Sequence, residues 1–207
     1  MIDWFYSDPH LGHANIIGYT NRPFANVEEM NNTLVRNYNR MVGIDDTVLW
    51  LGDCFFKGDA DKYRDILAEM AGNKILIVGN HDQGDTTMAA MGFTLVMSEA
   101  VMNLGGIPCR LNHYPYYKER DLEHETPDKF KQKRPHRHTG EILLHGHNHT
   151  TSKITGPTSI NVGVDAWNFG PAPYNEVVKL VRGLAGKPDS VPPPTQRSTP
   201  WASQTGK

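Results

Sequence analysis

The chain has 207 residues, of which 38% are hydrophobic and 21% are charged, and its formal net charge is −2. This length fits one domain with a short tail, and the composition excludes a transmembrane bundle and a fully disordered chain. Unbroken apolar runs such as 75–78 are far shorter than the ~20 residues that a membrane span needs, so we expect no membrane attachment.

The first half of the chain predicts strands that alternate with helices. Asn26 can cap the first helix, because Glu29 follows three residues later in a variant of the capping box, and Gly43 is its expected end. Asp59 is expected to cap the second helix. The apolar spacing predicts, in chain order, a strand over 1–7, a helix over 27–42, a strand over 47–51, a helix over 60–71 and a strand over 74–78.

In the second half, several strands follow one another directly. The pair Gly105-Gly106 is typical of a tight hairpin turn. The pattern predicts a short helix over 85–91, strands over 94–97, 100–104, 107–112, 141–144 and 159–164, and a helix over 175–184. Alternation followed by consecutive strands favours an α/β sandwich over a simple doubly wound sheet.

Two segments differ from this pattern. Segment 118–138 ends in a run of basic residues. It is either a solvent-exposed loop or a functional element, namely a lid or a basic rim that engages a nucleotide or an RNA end. Phe130 is the only aromatic residue among its charged residues, so the segment offers little surface on which bases could stack. We therefore expect no strong nucleic-acid binding. Residues 186–207 are rich in proline and predict a disordered tail, either inert or a docking segment for an unknown partner, behind a folded domain of residues 1–185.

The two cysteines, Cys54 and Cys109, are too few for a disulfide framework. Both lie beside apolar residues, which favours buried thiols in a reducing compartment. The amino-terminal stretch has an acid at Asp3 and lacks the basic and apolar regions of a signal peptide. We therefore expect a cytoplasmic protein.

Five short polar motifs follow the predicted strands, in a chain that has ten histidines. They are Asp8-x-His10, Gly52-Asp53, Gly79-Asn80-His81-Asp82, His113 and Gly146-His147-Asn148-His149. Ligands of α/β sheets bind beyond the carboxyl ends of strands, so these loops can converge on one site. In extended chain, residues two apart point to the same side, and the glycines allow the backbone to turn tightly. Imidazoles and carboxylates suit divalent Mn, Fe, Ni or Zn.

These motifs resemble those of the calcineurin-like metallophosphoesterases, in particular a small bacterial and phage branch. The resemblance is carried also by stretches 7–17, 21–24 and 161–165, and it covers roughly residues 2–183. It implies a four-layer α/β/β/α sandwich with a dinuclear metal centre at the carboxyl-terminal ends of the strands, between the two sheets.

The resemblance also implies a role for each motif residue. It assigns Asp8, His10 and His149 to the first metal, Asn80, His113 and His147 to the second, and Asp53 to both as a bridge. His81 is then the proton donor and transition-state stabiliser, and Asp82 orients it. Segment 118–138 and the tail lie outside the part of the chain that carries the resemblance.

The predicted function is a dimetal-dependent phosphoesterase that attacks its substrate with a metal-bridging hydroxide. A phosphodiesterase for small or nucleotide-type diesters, including cyclic nucleotides, is favoured because His81 can assist a poor alkoxide leaving group. The alternatives are a phosphomonoesterase, a nuclease acting on polynucleotide ends, and a protein-binding scaffold of the same fold. A structural zinc site is disfavoured, because Cys54 and Cys109 lack the spacing of zinc ligands.

Two further residues are candidate substrate contacts. His13 lies three residues beyond His10, and Arg22 could bind a phosphate through two parallel hydrogen bonds. For both, the alternative is a hydrogen bond that holds the loop. The position of His145 along its strand points its side chain away from the predicted site, so we expect it to have a structural role. The remaining histidines, which lie in segment 118–138, are expected to be solvated.

Overall fold

The computed structural model describes residues 1–56, 60–116, 130–137 and 140–185, which form ten strands and five α-helices. The strands are β1 (Trp4–Tyr6), β2 (Thr47–Trp50), β3 (Asn73–Ile77), β4 (Leu95–Met97), β5 (Glu99–Leu104), β6 (Ile107–Asn112), β7 (Ile142–His145), β8 (Ile154–Gly156), β9 (Ser159–Asn161) and β10 (Ala172–Pro173). The helices are α1 (Ala14–Tyr19), α2 (Val27–Met41), α3 (Ala60–Glu69), α4 (Asp85–Ala90) and α5 (Tyr174–Ala185).

The strands form two five-stranded sheets whose central strands are parallel. The first sheet has the order β10-β1-β2-β3-β4, with only β10 antiparallel to its neighbour. The second has the order β5-β6-β7-β9-β8, with β6, β7 and β9 parallel. A parallel bridge between Ser7 and Gly163 joins the end of β1 to the end of β9. The carboxyl ends of both sets of parallel strands therefore meet at one edge.

Alternate residues of β2 show how the layers are stacked. Val48 and Trp50 belong to a core that includes Leu34 of α2, whereas Leu49 and Leu51 belong to a second core. Because successive side chains of a strand point to opposite faces, one face of the first sheet packs on helices and the other on the second sheet. The far face of the second sheet contacts α5. The fold is a four-layer α/β/β/α sandwich, as predicted.

Local chemistry accounts for most of the predicted elements. The Asn26 side chain accepts a hydrogen bond from Glu29 N at 2.9 Å, and Glu29 Oε2 accepts one from Ala25 N at 2.7 Å, which together start α2. Gly105 and Gly106 both have positive φ and join β5 to β6 as a hairpin. The predicted strand over 159–164 ends early, at Asn161, and a turn of 3-10 helix follows at Val164–Ala166.

Three short elements were not predicted: α1, β8 and β10. Each has six residues or fewer. The predicted cap at Asp59, residues 118–129 and 138 of the charged segment, and the tail 186–207 lie outside the described residues. Within the described part of the chain, no helix is both long and apolar enough to cross a bilayer.

We expect Leu34→Ala to destabilise the fold by about 2–5 kcal/mol, because Leu34 is fully buried and its truncation leaves a cavity between α2 and the first sheet. Asn32→Ala, on the exposed side of the same helix, is the matched control and should change the free energy of unfolding by less than about 0.5 kcal/mol. Urea denaturation measures both. Equal effects of the two variants would contradict this packing.

Candidate metal centre

The predicted site residues lie in the loops that follow five of the strands. In the first sheet, Asp8 and His10 follow β1, Asp53 follows β2, and the run from Asn80 to Asp82 follows β3. In the second sheet, His113 follows β6, and His147 and His149 follow β7. Because these strand ends meet at one edge, residues more than a hundred positions apart in the chain become neighbours.

Three groups of side chains have ligand atoms within 4.8 Å of one another. They are Asp8, His10 and His149; His10, Asp53 and His81; and Asp53, His113 and His147. The first and third groups contain residues that the family resemblance assigns to the first and second metals. The second group links them through Asp53 and also includes His81, which the resemblance treats as a catalytic residue and not as a ligand.

Asp53 lies at the centre of the cluster. Its Oδ2 is 3.4 Å from His10 Nε2 and 3.4 Å from His113 Nε2, and its Oδ1 accepts a hydrogen bond from His81 N at 2.9 Å. His113 Nε2 is also 3.1 Å from Asn80 Oδ1 and 3.2 Å from His147 Nδ1. Two donors that each lie about 2.1 Å from one cation are themselves roughly 3.0–3.4 Å apart. The observed separations therefore suit a shared cation.

Hydrogen bonds on the far side of two rings orient them toward the centre. His113 Nδ1 is 2.7 Å from the carbonyl oxygen of Leu51, and His149 Nδ1 is 3.0 Å from Asp165 Oδ2. Both partners are acceptors, so each Nδ1 carries the proton and each Nε2 faces the cluster as a potential ligand. His10 provides the clearest sign of a missing partner: both of its buried ring nitrogens lack a hydrogen-bond partner among the described residues. Buried polar atoms are rarely left so, and a bound cation would satisfy one of them.

The electrostatics of the cluster reflect its burial. Burial opposes the charge of His113, but the neighbouring carboxylate of Asp53 outweighs this and raises the pKa of His113 to about 9. The pKa of Asp53 is lowered in turn, since the His113 charge overcomes the cost of burial. Burial raises the pKa of Asp8 and lowers that of His147 to about 3. A charged His113 is thus a positive partner that the protein itself places beside Asp53.

The backbone at the site is strained at the candidate ligands themselves. Five of them have φ in the left-handed region, between 50° and 71°: Asp8, His10, Asp53, His147 and His149. Of the three glycines expected to permit tight turns, only Gly52 has a positive φ, at 90°. Gly79 and Gly146 are needed for a different reason, because a Cβ at these positions would collide with Asp53 and Asp8 respectively. Strain of this kind persists where a site requires it.

The carboxylate of Asp82 has different partners from those expected. It accepts hydrogen bonds from three backbone amides, Gly79 N at 2.7 Å, Cys54 N at 2.8 Å and Asp53 N at 3.0 Å. Within the described part of the chain it forms no hydrogen bond with the ring of His81. These hydrogen bonds tie the Asp82 carboxylate to the backbone of the β2 loop, at Asp53 and Cys54.

Arg22 is committed to the protein interior. Its guanidinium donates to both carboxylate oxygens of Asp165, at 2.9 and 2.8 Å, and to the carbonyl oxygens of Pro9 and Asp8, at 3.0 and 2.8 Å. The remaining N–H is 3.5 Å from the sulfur of Met30. A guanidinium has five donors, so none is left for a phosphate. The geometry corresponds to the alternative expectation, a contact that holds the β1 loop.

A further acid beside the candidate ligands, Asp165, was not predicted from the sequence. It connects Arg22 to His149, and its pKa is lowered because hydrogen bonds from His149 and Arg22 overcome the effect of burial. Like the other site acids it lies shortly after a parallel strand, β9. That position is the feature that could have identified it.

The other two histidines in this region differ in their surroundings. His13 is 6% exposed, and its ring stacks on Phe56 at a centroid distance of 3.9 Å and an interplanar angle of 1°. Its ring centroid lies 5.9 Å from that of His81, at the rim of the cluster. His145 is buried beneath the site, with Nε2 2.6 Å from Thr155 Oγ1 and Nδ1 2.7 Å from the carbonyl oxygen of Gly146. As expected, its contacts are structural.

Comparison with known proteins places these features in a family. A family model described as calcineurin-like phosphoesterase matches residues 4–170, a range that includes every predicted site residue. The chain is 34% identical over 185 residues to an uncharacterized protein of Methanocaldococcus jannaschii, covering 86% of this chain and 90% of that one. It is 32% identical over 185 residues to the Gene 66 protein of Mycobacterium phage L5, covering 79% and 86%.

The chain is also similar to a solved structure. A protein of unknown function from Aquifex aeolicus is 25% identical, with a TM-score of 0.62, and the match covers 86% of this chain and 97% of that one. The chain therefore belongs to the calcineurin-like phosphoesterase family, and its site holds clusters of the residue types that bind divalent metals.

Proposed function

We propose that this protein is a phosphodiesterase that hydrolyses small or nucleotide-type phosphodiesters, cyclic nucleotides among them, with two divalent cations. The main support is the position of Asp53, whose Oδ2 lies 3.4 Å from a ring nitrogen on each side, His10 and His113. A carboxylate between two sets of donors can be shared by two cations, as in sites where two metals lie ~3.5–4 Å apart. Membership of a phosphoesterase family gives the class of reaction.

We assign the ligands as the two groups that meet at Asp53. Asp8, His10 and His149 would hold the first cation, Asn80, His113 and His147 the second, and Asp53 both. Bound there, the cations would activate a water molecule and hold the phosphoryl oxygens of the substrate. Imidazole and carboxylate ligands accept Mn, Fe, Ni and Zn, so any of these could fill the site.

We assign His81 to proton donation. Its backbone N–H donates to Asp53 Oδ1, which fixes the residue beside the ligands, and its ring lies 5.0 Å from that of His10, centroid to centroid. The side chain is partly exposed, so its ring can reach a substrate. An alkoxide leaves poorly without a proton, and for this reason the donor favours diesters over monoesters. His13, at the rim, remains a candidate substrate contact.

The two cysteines bear on where in the cell the protein acts. Cys54 and Cys109 are both buried and unpaired. Free thiols are usual where the compartment is reducing. This supports the proposal that the protein acts in the cytoplasm.

A substrate panel tests the function. Metal-loaded protein, prepared separately with Mn, Fe, Ni and Zn, should hydrolyse bis-p-nitrophenyl phosphate and 2′,3′-cyclic AMP with higher kcat/KM than p-nitrophenyl phosphate. Preference for the monoester would favour a phosphomonoesterase. A metal-loaded chain that is inert to all three substrates would contradict catalysis and favour a protein-binding scaffold.

His81→Ala should retain its metal but lose about 10²–10⁴-fold in kcat on 2′,3′-cyclic AMP, because the alkoxide leaving group loses its proton donor. The loss should be smaller on bis-p-nitrophenyl phosphate, whose leaving group needs little protonation. Steady-state kinetics and metal analysis of the purified variant measure both. Equal losses on the two substrates would show that His81 does not act as the proton donor.

Asp53→Asn should lose most of its bound metal, since the amide removes the negative charge that both cations share. Elemental analysis after dialysis against trace metal reports the content. Asp61→Asn is the matched control, because Asp61 is an exposed acid on α3, with 79% of its side chain accessible, and its replacement should leave the metal content unchanged. Normal metal content in Asp53→Asn would refute the shared ligand.

A further inference from the structure

A cavity opens beside the candidate metal centre. Its volume is about 340 Å³, and Gly79 forms part of its wall. The polar side chains around it are those of Ser98, Glu99, Asn112, Tyr114 and Lys133. Neither the ligand assignment nor the proton donor involves any of these five side chains.

The cavity adjoins the half of the site assigned to the second cation. Gly79 directly precedes Asn80, and Tyr114 directly follows His113. The ring of Tyr114 lies 5.0 Å from that of His147, centroid to centroid. These neighbours place the cavity next to the residues assigned to the second cation, where a group attached to the reacting phosphate could enter it.

The basic segment forms the outer side of the cavity, and consecutive contacts hold it there. The ring of Phe130 lies 5.5 Å from the rings of both Tyr114 and His147. Arg134 Nη1 is 3.5 Å from the carbonyl oxygen of Pro115, and Arg137 lies over the ring of Tyr116 at 5.5 Å. The short 3-10 helix Lys131–Lys133 between these contacts is thus fixed beside the metal centre.

The cation in the wall of the cavity that can meet an anion is Lys133. Lys133 is exposed and forms no ion pair with any residue that the structure describes. The carboxylate of Glu99 is paired, with Oε2 3.1 Å from Arg110 Nη1 and 3.5 Å from Asn112 Nδ2. Arg110 also pairs with a second acid, because its Nε lies 2.9 Å from Glu141 Oε2. Ser98 contributes a hydroxyl to the wall. Tyr114, which is 5% exposed, has a hydroxyl without a hydrogen-bond partner among the described residues.

We propose that this cavity binds a second phosphate of the substrate, with Lys133 as its counter-ion. The preferred substrate is then a nucleotidyl phosphodiester that bears a further phosphate on a neighbouring sugar. This inference rests on the proposed phosphodiesterase function and narrows it. Of the roles considered for the charged segment, this proposal favours a basic rim over a solvent-exposed loop for residues 130–137.

The test compares the dinucleotide ApA with its terminally phosphorylated forms, pApA and ApAp. Wild-type protein should show a higher kcat/KM for at least one phosphorylated form than for ApA, mainly through a lower KM. Lys133→Ala should reduce that preference about two- to fivefold, as expected for a charge pair made by an exposed lysine. Its activity on ApA and on bis-p-nitrophenyl phosphate should not change, because neither substrate has the second phosphate.

Lys131→Ala is the matched control, since Lys131 is an exposed lysine on the same short helix and does not line the cavity. It should retain the wild-type preference. Wild-type protein without a preference for a terminal phosphate, or equal losses in the two lysine variants, would overturn the assignment.

The proposed function and this inference fail in different ways. If wild-type protein cleaves no diester, the proposed function fails. Calorimetry then measures binding of ApA, pApA and ApAp to the wild-type chain and to both variants. Binding of the phosphorylated forms that is no tighter than that of ApA, or that is unaffected by Lys133→Ala, would overturn the cavity assignment independently of catalysis.

Discussion

Burial of two carboxylates is the constraint on which this edge of the molecule depends. Asp8 and Asp53 are 1% and 2% exposed where the carboxyl ends of the two sheets meet, and an unpaired buried charge is strongly unfavourable. The protein compensates in part with backbone amides, since His147 N donates to Asp8 and His81 N to Asp53. Burial opposes the charge of His113, but Asp53 outweighs this and raises the pKa of His113, whose imidazolium then supplies further charge. Two divalent cations would complete the compensation.

The same constraint explains the conformation of the loops. A ligand that must turn back over the end of its own strand takes a left-handed φ. For residues other than glycine this conformation costs on the order of 1–3 kcal/mol each. Five candidate ligands have this conformation. The cost is offset by the two apolar cores on either side of the first sheet, which hold the strand ends in fixed positions. Glycines at 79 and 146 remove the Cβ atoms that would keep the carboxylates away.

Local sequence patterns predicted much of the fold and the site. The candidate ligands follow strands that have clear apolar patterns, and the cap at Asn26 and the hairpin at Gly105-Gly106 depend on residues close in sequence. What the sequence did not predict depends on distant contacts. Arg22 and Asp165 are 143 residues apart, so neither residue indicates its partner. The amide partners of Asp82 on the β2 loop are also distant, the nearer being 28 residues away.

The charge balance of the candidate metal centre bears on how many phosphates its substrate can carry. The site region contains one buried guanidinium, that of Arg22, and four carboxylates, those of Asp8, Asp53, Asp82 and Asp165. With the acids ionised and the histidines neutral, as histidine ligands of a metal are, these groups have a net charge of minus three, and two divalent cations would change it to plus one. A phosphodiester carries one negative charge and would neutralise the site. A second phosphate would need a positive charge of its own, which in the proposed assignment is that of Lys133 at the adjoining cavity.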